Sequence, residues 1–202
     1  MSAMTPILRA AVATGLVVAT FTIGSTQAMA TSEHTTTVGQ GHAFGQLGPL
    51  TDLVVQRLLV GDQVAASKFD TDKPIDDPVR EQQELADVRA RAAALGIDPD
   101  RTAGFFQDQI TASKIVQRGL FDRWTAHPAE APTTRPDLNA IREELDRLTT
   151  ALLGQLVATS AVRTPSTTCH VAAAEAAISA SVLDHLDALH REALRSALRS
   201  AC

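Results

Sequence analysis

The 202-residue chain has no tyrosine, one tryptophan and six phenylalanines, so it offers few rings on which nucleobases could stack. Positive charge is also short, with 18 lysines and arginines against 23 aspartates and glutamates and a formal charge of −5. Together these shortages argue against a nucleic-acid partner, which calls for a basic face and stacking aromatics. No stretch shows sustained strand alternation, no solenoid-type repeat is present, and turn signals fall only between stretches of helical periodicity. What remains is an all-α chain whose helices pack side by side. Spacing picks out no Ser-His-Asp or Cys-His nucleophile. The six histidines are scattered, and His185 and His190 are poorly spaced on a helix to share a metal, so neither metal nor cofactor is expected. Cysteine is limited to Cys169 and Cys202, which bracket the last helical segment. In an oxidising compartment an isolated pair forms one disulfide. The loop it closes has roughly 34 residues, which corresponds to about 4 kcal/mol in the chain-entropy account.

The beginning of the chain reads as an export signal. Arg9 supplies a positive start, Ala10 to Ile23 an apolar run too short for a comfortable membrane span, and Ala28-Met29-Ala30 a small-x-small cleavage site. Residues 1–30 are therefore a signal peptide, and the mature chain starts near Thr31, periplasmic or secreted and without membrane contact after cleavage. Losing the single charge of Arg9 takes the formal charge from −5 to −6. Residues 31–46, rich in threonine and glycine and without periodicity, read as a mobile leader. Residues 47–202 are enough for one domain with a sizeable core.

Within that domain a bundle of about five to six helices is expected. The first runs from about Leu47 to Phe69. Asp77-Pro78 and Asp98-Pro99 are acidic N-caps followed by proline, and open helices running to Leu95, before Gly96, and to Trp124. His127 to Pro136 holds three prolines and reads as a loop. Asp137 caps a fourth helix to about Ser160, and a last helix, bent within Ile178 to Ser181, runs from Cys169 to about Arg199.

The first helix carries charges where leucines belong. Its apolar stripe of Leu50, Leu53, Val54, Val60 and Val64 also holds Arg57 and Lys68, eleven residues or about 16 Å apart along the axis. Arg80 and Glu81 follow in the first turns of the second helix. A buried cation is costly unless an anion meets it, so several cations facing one interior point to an anionic ligand. On the third helix Gln109, Ser113 and Gln117 form a polar ladder four residues apart, on the stripe of Phe106, Ile110, Val116, Leu120 and Trp124. Arg142 shares a face of the fourth helix with Leu138, Leu145, Leu153 and Leu156.

Arg57, Lys68, Pro74-Ile75-Asp76-Asp77, Arg80-Glu81, Ser113 and Gln117, taken with their spacing, resemble the active-site pattern of the all-α, type II-like chorismate mutases. The export signal, Arg142 and the late cysteine pair are similar to the exported, or gamma, subclass of that family. The resemblance spans about Leu47 to Cys202. It implies that Arg57 and Arg142 hold the two carboxylates of chorismate, and that Lys68 and Gln117 contact the ether oxygen. Asp77, Arg80 and Glu81 surround the ring-hydroxyl end, and Ser113 adds a bond to a carboxylate. One turn past Arg80 stands Glu84, with Gln83 beside it, where the resemblance implies a further substrate contact. A homodimer whose subunits each hold a complete site is also implied. Two other readings fit the same residues: a secreted module that binds a small dicarboxylate without changing it, and a structural protein whose buried cations pair internally with Asp77, Glu81 or Glu84.

Overall fold

The computed structural model describes residues 42–202, so the expected signal peptide and most of the leader lie outside the described residues. Six α-helices follow in order: α1 (Gly48–Lys68), α2 (Pro78–Ala94), α3 (Pro99–Ala126), α4 (Leu138–Ala158), α5 (Thr167–Leu183) and α6 (Ala188–Ala197), with a 3-10 turn (Pro128–Glu130) between α3 and α4. The described residues contain no strand.

The starts anticipated at Asp77, Asp98 and Asp137 are made by the caps that the sequence supplies. Asp77 accepts the Arg80 amide at 3.1 Å, and Glu81 reaches back to the Asp77 amide at 3.1 Å, so two orphan donors of α2 are met reciprocally. Asp98 accepts two amides of α3, and Asp137 accepts one of α4. At the end of α2, Gly96 takes a φ of +73°, and Ile97 N–H returns to Ala92 O at 3.1 Å, closing the turn in a conformation that costs glycine little.

The long α3 is the axis of the molecule. It packs against α1, α2 and α6, while α1 also meets α4 and α5. Phe105, Phe106, Val116 and Leu120 of α3 are buried with Leu50, Val54 and Leu58 of α1, Leu152, Leu153 and Leu156 of α4, and Leu194 of α6. By contrast, α2 buries only Val88 and Ala92 and lies on α3 as a polar cover. A helix with so little apolar surface is held largely by its ends and its charges.

Two expectations are corrected. The leader was to extend through residue 46, but its described part is fastened to the body. Ala43 N–H and His42 both bond the Asp52 carboxylate, Phe44 N–H bonds Ser179 Oγ at 3.0 Å, and Ala43 is 5% exposed. The last helix is not one bent rod but two helices, broken after Leu183 and not within Ile178 to Ser181. His185 takes a φ of +51°, Leu186 is buried, and Asp187 starts α6 by accepting the His190 amide at 2.9 Å. Cys169, in the first turn of α5, is bonded to Cys202 beyond α6, with their Cα atoms 5.9 Å apart.

Candidate active site

Helical spacing assembles one cavity of about 140 Å³ at the crossing of α1, α2, α3 and α4. From α1 come Arg57, Gly61, Val64 and Lys68, the i, i+4, i+7, i+11 positions of one face. The α2 wall is Asp77, Arg80, Glu81 and Glu84, and α3 supplies Gln109, Ile110, Ser113, Lys114 and Gln117. Leu145 of α4 closes the side next to Arg57. Eight of the nine expected substrate contacts therefore border one space.

The polar groups around it differ in how well they are partnered. Arg57 is 7% exposed and bound on several sides: one nitrogen donates to Thr149 Oγ1 at 3.2 Å and Leu145 O at 3.4 Å, another to Glu84, and the guanidinium lies 5.8 Å over the Phe106 ring. Lys114 bridges Glu81 at 2.7 Å and Asp76 at 3.0 Å, and Arg118 grips both Asp76 oxygens. These bonds fix the α1–α2 loop. They hold the Asp76 carboxyl below its ordinary range, with the Lys114 bond the largest cause, while the same bonds outweigh burial to raise the pKa of Lys114.

Lys68 and Gln117 stand apart. Among the described residues the Lys68 ammonium makes no salt bridge, and its one hydrogen bond is to Ile75 O at 3.5 Å. Burial lowers its pKa from 10.5, with Asp77 and Asp76 opposing. Gln117 donates to Ser113 Oγ at 3.1 Å, and its Oε1 is buried without a partner. An unmet cation beside an unmet amide end is unusual in a folded interior.

Arg142 is the exception among the expected contacts. It is exposed and donates to Asn139 Oδ1 at 3.1 Å on its own helix, and it lines an outer groove of about 300 Å³ rather than the cavity. Arg80, Glu84 and Leu145 form the partition between the two spaces. A long side chain one turn from a helix start takes the nearest acceptor. Gln109 also has a plain role, donating to Ala197 O at 2.7 Å and tying α3 to α6. A larger groove of about 690 Å³ between α1, α4 and α5 has two carboxylates and no lysine or arginine in its lining, which disfavours an anion.

The sequence pattern of the family described as chorismate mutase type II matches residues 49–118, which contain every cavity-lining residue of α1, α2 and α3. Over 158 residues the chain is 37% identical to the secreted chorismate mutase of Mycobacterium tuberculosis, covering 78% of each chain. The chain belongs to the chorismate mutase family. A second relative, the secreted chorismate mutase of Mycolicibacterium smegmatis, is 36% identical over 82% of this chain and 93% of its own. Among solved structures, the chorismate mutase of Burkholderia phymatum superimposes with a TM-score of 0.73 at 34% identity, over 78% of this chain and 96% of that one.

Sequence reasoning missed the linked group of Lys114, which lines the chorismate mutase cavity, with Asp76 and Arg118 beside it. Lys114 and Arg118 are four apart and face the Pro74-Ile75-Asp76 turn, a signal legible only once that turn is placed over α3.

Proposed function

We propose that this chain, after export, converts chorismate to prephenate, and that the cavity acts by orienting the substrate and stabilising charge. The reaction is a concerted rearrangement within one molecule, so the protein's task is to hold a compact, chair-like conformer and meet the charge that develops. Negative charge grows on the ether oxygen as its C–O bond breaks. Lys68 and the Gln117 amide bind that oxygen more strongly in the transition state than in the substrate. Arg57 takes one carboxylate, and Arg142 swings in from the outer groove to take the other, closing the cavity. Asp77, Arg80 and Glu81 face the ring-hydroxyl end, with Glu81 steadied by Lys114, and Ser113 assists a carboxylate. The protein works as a homodimer with a complete site in each subunit.

The observation that carries this reading is that, among the described residues, the Lys68 ammonium makes no salt bridge and lines the same cavity as Gln117, whose Oε1 is unpartnered. Internal pairing accounts for Arg57 and Lys114 but not for these two groups. The test is the loss of chorismate absorbance on adding purified residues 31–202. Rapid loss with prephenate as sole product is expected. Folded, disulfide-bonded protein that leaves chorismate unchanged contradicts the proposal.

A further inference from the structure

Resting on the function proposed above, we infer that Glu84 is an internal stand-in for a substrate carboxylate: it occupies Arg57 in the free protein and is exchanged when substrate binds. Three observations converge on it. First, Glu84 and Arg57 both line the cavity, and Glu84 binds one terminal nitrogen of Arg57 while the other is held by Thr149 and Leu145 of α4. An incoming carboxylate therefore meets a guanidinium whose two terminal nitrogens are already engaged.

Second, Glu84 offsets positive charge that a dianion entering the cavity needs. The lining contains four cations, Arg57, Lys68, Arg80 and Lys114, and three carboxylates, Asp77, Glu81 and Glu84. With Glu84 in place one positive charge is in excess. Without it two are, even before Arg142 arrives, so a dianion is drawn in more strongly once Glu84 has turned away.

Third, Glu84 has somewhere to go. It lines the outer groove as well as the cavity, and that groove also holds Arg80, Arg91 and Arg142. Glu84 is about one-third exposed, whereas Arg57 is almost wholly covered, so the carboxylate is the partner able to turn. The exchange keeps a buried cation neutralised in both states, which avoids the penalty of leaving Arg57 unpaired. It also makes substrate affinity the difference between two ion pairs instead of the full strength of one.

The experiment is steady-state kinetics on chorismate with wild type, Glu84→Gln and Glu84→Asp, each confirmed folded by its helical circular dichroism. Removing the competing charge is expected to lower KM about tenfold in Glu84→Gln, a change of about 1.4 kcal/mol, with the gain on KM and not on kcat. Glu84→Asp withdraws the carboxylate from Arg57 without removing it, so its KM falls less and in the same direction; it also serves if Glu84→Gln does not fold. As a second readout, a fixed concentration of prephenate raises Tm more in Glu84→Gln than in wild type, because tighter binding stabilises more. An unchanged or higher KM with an equal or smaller Tm shift overturns the exchange and makes Glu84 an ordinary contact. Those outcomes leave the proposed reaction standing, because it fails only if wild type does not turn chorismate over.

Discussion

Two polar clusters flank α1, and they are built in opposite ways. On one side His190 bonds Asp187 at 2.7 Å and Asp62 at 2.9 Å, and Asp187 also takes Arg123 at 3.1 Å and caps α6. Each of these groups has a partner, and together they tie α1, α3 and α6. On the other side the half-buried Lys68 makes one 3.5 Å hydrogen bond and no salt bridge among the described residues, and the buried Gln117 leaves its Oε1 unmet. A satisfied network fixes structure, whereas an unsatisfied one in a cavity is held ready for something that arrives. The two clusters should therefore fail differently when broken.

The largest effect is expected at the unsatisfied cluster. On the proposed function, Lys68→Ala removes the group assigned to the developing oxyanion and should cost about 3 to 4 kcal/mol in the barrier, or several hundredfold in rate. Chorismate turnover checks it. Gln117→Glu should lose roughly a hundredfold at neutral pH, where an ionised carboxylate repels the forming oxyanion, and regain activity as acid protonates it. Wild type, with a neutral amide there, should stay flat from mildly acidic to neutral pH. An overlay of the two pH profiles would remove Gln117 from the reacting oxygen.

Smaller effects, on stability, are expected where everything is paired. Replacing Cys169 and Cys202 by alanine should cost about 2 to 4 kcal/mol in denaturant unfolding while leaving the cavity intact. His190→Asn should cost about 1 to 2 kcal/mol, since two charge-assisted bonds are lost but both carboxylates are partly solvated. The sign of its pH dependence follows from His190, whose pKa is raised above 6.5 chiefly by the Asp62 bond. Its contribution is fully present below pH 6.5 and fades as pH climbs through the raised value. The gap between wild type and His190→Asn should close on the alkaline side. The subtlest effect concerns Lys68 itself: because burial lowers its pKa, kcat/KM should fall on an alkaline limb lying below pH 10.5.

The fold was legible wherever a local signal decided it. Asp77-Pro78, Asp98-Pro99, Gly96 and Asp137 place helix ends within a few residues because caps act over one turn. The break between α5 and α6 was not legible. Asp184-His185-Leu186-Asp187 contains neither glycine nor proline, and the α6 that follows it is anchored through His190 to Asp62, far away on α1. The same division runs through the site. Arg57, Lys68, Ser113 and Gln117 announced themselves as polar residues on apolar stripes. The pairing of Lys114 with Asp76 and Glu81, the seizure of Arg57 by Glu84, and the outward turn of Arg142 depend on how α2 and α4 lie against α1 and α3, which periodicity does not give.

The most direct measurement places kcat/KM beside Tm for Lys68→Ala and His190→Asn under one set of conditions near pH 6. The account predicts a crossed pattern: Lys68→Ala loses several hundredfold in rate with a stability change within about 1 kcal/mol, while His190→Asn loses Tm and keeps most of its rate. A Lys68→Ala protein that is markedly less stable yet turns chorismate over near the wild-type rate would contradict it, because the unmet cation would then be a structural element rather than a group held for the substrate.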